Sequence, residues 1–70
     1  MADVPNRTLG RGLKMLELLS RHPEGLALFE LAQMLELPRS TAFNLARTLT
    51  DLDYTFFNAE TNRYTLGLRM

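Results

Sequence analysis

Within the nine positions from 39 to 47 stand Arg39, Ser40, Thr41, Phe43, Asn44 and Arg47, with no carboxylate among them. Arginine carries paired donors that match the two acceptors on guanine, and an asparagine amide matches adenine in the same way. Hydroxyls at the start of a helix, beside free backbone N–H groups, suit phosphate oxygens. A phenylalanine in that company could pack on a thymine methyl or a sugar. From Pro38 to Thr50 the sequence has two arginines and no acid, a local charge of +2. Phe29 to Glu36 has Glu30 and Glu36 and no base, a local charge of −2. Eight basic and eight acidic residues leave the chain neutral overall, so attraction for a polyanion must come from this segregation. Arg63 could reach an adjacent phosphate or the minor groove, and Arg7, Arg11 and Lys14 the flanking backbone.

Other chemistries lack their residues. His22 is the one histidine and is expected to cap the negative end of a helix rather than to bind metal. Ser40 and Thr41 have no nearby histidine or paired carboxylate to activate them as nucleophiles. Asp51 and Asp53 read as the end of a helix, not as an acid/base pair. There is no glycine-rich phosphate loop. The absence of cysteine removes disulfides and thiolate zinc sites. No enzymatic activity, metal or cofactor is expected.

The elements that must position these residues follow from periodicity. Thr8 to Arg21 reads as a helix with Thr8 as N-cap. Leu9, Leu13, Leu16 and Leu19, with Met15, share one wide arc. Arg11, Lys14, Glu17 and Arg21 form the opposite stripe, and Leu18 projects among them. His22-Pro23-Glu24-Gly25 ends the helix, with Gly25 free to take φ > 0. Leu26-Ala27-Leu28 reads as a short strand and Phe29 to Leu35 as a second helix, with Glu30 complementing its positive end. A third helix starts at Pro38 or Arg39 and runs to Leu52. Ala42, Leu45, Leu49 and Leu52 mark its buried face, which turns Arg39, Ser40, Phe43, Asn44 and Arg47 outward and leaves Thr41 at the margin. Tyr54-Thr55-Phe56-Phe57 and Arg63-Tyr64-Thr65-Leu66 then read as strands of a β-hairpin, joined by a loop of about five residues, Asn58 to Asn62. Alternation sends Phe56 and Phe57 to opposite faces, so at least one should lie outside the core.

Seventy residues make one small domain. Hydrophobic residues at 46% and charged residues at 23% fit a folded chain and argue against intrinsic disorder. No apolar run approaches the roughly 20 residues that span a bilayer. The opening MADVPNRTLGRG lacks a signal-peptide stretch, and a cytoplasmic location is expected. Two short helices joined by a tight turn, followed directly by a hairpin, are the arrangement of a winged helix-turn-helix: mainly α, a three-helix core plus a wing. Residues 1–8 read as a leader, 9–66 as the domain, and 67–70 as the start of a linker.

The stretches RGLKMLELLS, EGLALFELAQMLELPRSTAFNLARTL and DYTFFNAETNRYTLGLRM resemble the amino-terminal DNA-binding domain of IclR-type bacterial transcriptional regulators. The resemblance runs from Arg11 to Met70. It implies a third helix in the major groove and a wing on the backbone. It also implies double-stranded DNA carrying an inverted-repeat operator as partner, pairing of two copies through their first helices, and an effector domain carboxyl-terminal to this unit. Leu18, apolar within a charged stripe, fits such a second contact surface. Four positions depart from the family pattern: Glu36 and Asn62 stand at turns usually held by Gly, Asp53 where Gly commonly ends the third helix, and Phe29 where Ser or Thr usually caps the second. A left-handed Glu36 would cost about 1–2 kcal/mol and a lost cap about 1 kcal/mol. A second reading keeps the same scaffold as a protein-interaction module that does not touch DNA, favoured by the neutral charge and by Phe43, Phe56 and Phe57.

Overall fold

The computed structural model describes residues 6–67. Three helices, α1 (Arg7–Ser20), α2 (Leu28–Leu35) and α3 (Arg39–Asp51), pack on a small sheet of β1 (Leu26–Ala27), β2 (Thr55–Asn58) and β3 (Arg63–Leu66). The strand order is β1-β3-β2 and both pairings are antiparallel. The hairpin thus becomes a three-stranded sheet because β1, between α1 and α2, closes its open edge. The expected leader and linker lie mainly outside the described residues, although Arg7 and Thr8, placed in the leader, are helical.

Local chemistry sets the element ends, sometimes elsewhere than expected. Asn6, not Thr8, caps α1: its Oδ1 accepts the Leu9 N–H at 2.9 Å. Asparagine is the better cap and its backbone is extended, as a cap requires. Phe29 is not a cap either. That place falls to Ala27, whose own N–H is held by Glu30 Oε1 at 2.8 Å, so the glutamate half of a capping box acts without a hydroxyl partner. Leu28 belongs to α2 rather than to the strand.

Glu36 adopts the expected left-handed conformation at φ 55°, and the Leu37 N–H closes on the Ala32 carbonyl at 2.9 Å. This is a Schellman ending, with Leu37 buried beside Ala32. The end of α3 repeats it: Asp53 sits at φ 67° and the Tyr54 N–H reaches Leu49 O at 2.9 Å. Asn62 closes the hairpin at φ 58°. Asn58 lies inside β2 instead of the loop, and its Oδ1 accepts the Glu60 N–H at 2.9 Å. Gly25 has φ 89°, and a Cβ there would stand 2.9 Å from the Tyr64 carbonyl oxygen. The side chain of His22 does not cap α1: its Nδ1 lies 3.4 Å from Glu24 Oε2.

Met15, Leu19, Leu26, Leu31, Ala46 and Tyr64 form the main core, and Ala32, Leu37 and Ala42 a second cluster between α2 and α3. Three expected core leucines are outside it: Leu9, Leu13 and Leu52 are more than half exposed. Conversely, Leu18 packs against the main cluster, to which the sheet contributes Leu26 and Tyr64. An apolar arc on a helical wheel has two edges, and the sheet covers the Leu18 edge of α1 while leaving the Leu13 edge open. Phe56 and Phe57 are both exposed.

Candidate nucleic-acid interface

The buried positions of α3 are Ala42 and Ala46, with Leu45 and Leu49 half-buried. These small residues seat the helix close against α2 and the core, and they turn its other side to solvent. Arg39, Ser40, Phe43, Asn44 and Arg47 are exposed and Thr41 is half-buried. All six candidates on this helix therefore stand where the sequence placed them. Arg39, Phe43 and Arg47, four residues apart, form one row along the face; Ser40, Asn44 and Thr48 form the next.

Arg47 Nε is 4.0 Å from Asp51 Oδ2, with both side chains about 70% exposed. A contact that long and that wet leaves the guanidinium available to another partner. Among the described residues Arg39 has no ion-pair partner. Pro38 opens the helix with no side-chain cap, so the N–H groups of Arg39, Ser40 and Thr41 remain unpaired within it. The amino end of α3 thus offers donors, partial positive charge and hydroxyls together.

The structure also assembles something the sequence reading missed. Phe29 at the start of α2, Arg39 and Phe43 on α3, and Phe57, Asn62 and Tyr64 of the hairpin line one open groove of about 450 Å³. Phe57 and Tyr64 face each other across the β2–β3 pair with ring centroids 4.9 Å apart. Burial raises the Tyr64 phenol above its usual pKa. The signal in the sequence was Phe29, an aromatic at a position expected to be a polar cap.

Arg63 is not part of this assembly. It lies in the central strand, half-buried, paired with Asn58 and Ala27. Alternation along β3 turns it to the sheet face opposite Tyr64. There it helps lower the Glu24 pKa, after the larger effects of the hydrogen bond from the glutamate's own backbone and of His22. No group of three His, Cys, Asp or Glu side chains that could hold a metal occurs among the described residues. Nor is any described helix long and apolar enough to cross a membrane.

The sequence pattern of the IclR helix-turn-helix domain matches residues 8–55, well over half of the chain. The chain belongs to that family. An uncharacterized HTH-type transcriptional regulator of Haemophilus influenzae is 41% identical over 52 residues, which are 74% of this chain and 19% of that protein. The crystal structure of an IclR transcriptional regulator from Alicyclobacillus acidocaldarius matches 97% of this chain with a TM-score of 0.85 and 30% identity. That of Pseudomonas aeruginosa HmgR matches 91% with a TM-score of 0.79 and 25% identity. Each match spans 27% of the solved chain. The fold is accordingly the winged helix of IclR regulators, and this unit is an IclR-type DNA-binding module covering about a fifth to a quarter of the proteins it resembles.

Proposed function

We propose that this domain reads double-stranded DNA sequence by laying α3 in the major groove. Arg39, Phe43, Asn44 and Arg47 face base edges, while Ser40, Thr41 and the first-turn N–H groups hold phosphates. The observation that carries the reading is the outward side of α3 from Arg39 to Thr48, where arginine, asparagine and hydroxyl groups stand without a carboxylate until Asp51 in the last turn, on a helix anchored from behind by Ala42 and Ala46. Arg63, on the sheet face turned away from the aromatic groove, stands next to the hairpin turn and serves from there as a contact of the wing to a neighbouring phosphate, and Arg7, Arg11 and Lys14 contact flanking phosphates. The module acts in the cytoplasm, without catalysis of its own. Effector sensing belongs to a domain outside these residues.

Two copies bind an inverted repeat by pairing through α1. Leu18, half-buried against the core, does not supply that surface. The exposed Leu9 and Leu13 do, together with Leu52 across an apolar groove of about 240 Å³ floored by Gly12, Leu45 and Leu49.

Selection of bound duplexes from a random pool tests the reading, and an inverted-repeat motif is the expected outcome. On the selected duplex, Arg47→Ala should weaken specific binding by about 1–3 kcal/mol. Arg63→Ala should weaken binding to all sequences alike and flatten the salt dependence by about one phosphate, a slope change of about 0.9. Parent-like binding by both variants would show that the wrong face has been assigned.

A further inference from the structure

Phe43 occupies the centre of the row Arg39–Phe43–Arg47, yet it offers no hydrogen bond. It is 42% exposed on a face whose other exposed members are polar. Successive members of the row stand about 6 Å apart along the axis, near the length of two base steps of about 3.4 Å. Between the base pairs within reach of Arg39 and Arg47 there is thus room for a pair that meets Phe43 alone. The single apolar group on a base edge in the major groove is the thymine C5 methyl.

Beside the ring, the space enclosed with Phe29, Phe57 and Tyr64 is apolar, and Arg39 is the one charged side chain lining it. DNA laid over this face would remove the exposed surfaces of Phe29, Phe43 and Phe57 from water while the cation remained within reach of a phosphate. A cytosine at that position would present a donor amine to a ring that is only a weak acceptor, in place of the full hydrogen bond the amine makes with water.

We propose that Phe43 is a specificity residue that selects thymine, through its C5 methyl, at the position between those read by Arg39 and Arg47. The proposal rests on α3 entering the major groove and adds the identity of one base to that reading.

The test replaces each thymine of the selected duplex by deoxyuridine, one position at a time, which removes the methyl and nothing else. One thymine per half-site should show a loss of about four-fold in affinity, the factor for burying about one methyl group. Phe43→Ala should bind the thymine and deoxyuridine duplexes equally. As a measurement that needs no variant, 5-iododeoxyuridine at the sensitive position should, on irradiation, crosslink the parent protein at Phe43.

Deoxyuridine without effect at every position, while Phe43→Ala still weakens binding, would assign the ring to sugar packing and overturn the proposal. A methyl effect that persists in Phe43→Ala, or a crosslink to another residue, would also overturn it. A pool that enriches no duplex would instead remove the DNA reading on which it rests.

Discussion

Glu36, Asp53 and Asn62 all hold left-handed backbone, and none is glycine. Asparagine and aspartate tolerate this region through their short polar side chains, whereas glutamate has no such local compensation. The strain at Glu36 persists because Leu37, immediately after it, is buried against Ala32 and must leave α2 at that angle. Replacing Glu36 by Gly removes about 1–2 kcal/mol of strain and returns part of it as added freedom of the unfolded chain, about 0.5–1 kcal/mol. The net expectation is a gain of about 0.5–1 kcal/mol, read as a rise of several degrees in Tm at about 4–8 °C per kcal/mol. Asn62→Gly should change Tm less. A Glu36→Gly protein melting at or below the parent temperature would mean that the φ angle is not a source of strain.

At the scale of elements, what matters for the interface is how α3 is fixed at both ends. Its start is set by the Leu37-Pro38 turn, whose leucine is buried between α2 and α3. Its end is tied to the sheet by a hydrogen bond of 2.7 Å between the Thr50 and Thr55 hydroxyls. Thr55 is the one buried polar residue among those described, at 3% exposure, and this bond to the half-buried Thr50 joins helix to wing. Thr55→Val should destabilise by about 1–2 kcal/mol, because Thr50 loses its partner while half-buried. The double variant Thr50→Val, Thr55→Val should recover part of that loss, since both polar groups are then gone. Strictly additive effects in denaturant melts would deny that the two hydroxyls act as a pair.

For the whole molecule, two apolar surfaces remain open. One is the aromatic groove beside α3; the other lies between α1 and the end of α3, with Leu9, Leu13 and Leu52 at its rim. Because Leu13 and Leu52 are more than half exposed, Leu13→Ser and Leu52→Ser should leave the monomer fold and its Tm nearly unchanged. Pairing on an inverted repeat should weaken markedly, while binding to a single half-site survives. Loss of half-site binding as well would place these leucines in the fold or the DNA contact rather than between two copies.

The periodicity of Ala42, Leu45 and Leu49 was enough to orient α3 and hence to place Arg39, Ser40, Thr41, Phe43, Asn44 and Arg47, because a 3.6-residue repeat fixes which side of a helix faces the core. The left-handed positions Glu36, Asp53 and Asn62 were legible only through the family resemblance, as places where glycine is usual, because none of the three residues is itself a glycine. What periodicity could not determine is which neighbour covers each edge of an apolar arc. Leu18 and Leu13 lie about 140° apart on a helical wheel of α1, at opposite edges of the side that faces the core, and only the position of the sheet buries one and leaves the other in water. The aromatic groove arises for the same reason: Phe29, Phe43 and Phe57 come from three separated segments, and their convergence is a property of packing that no local pattern encodes.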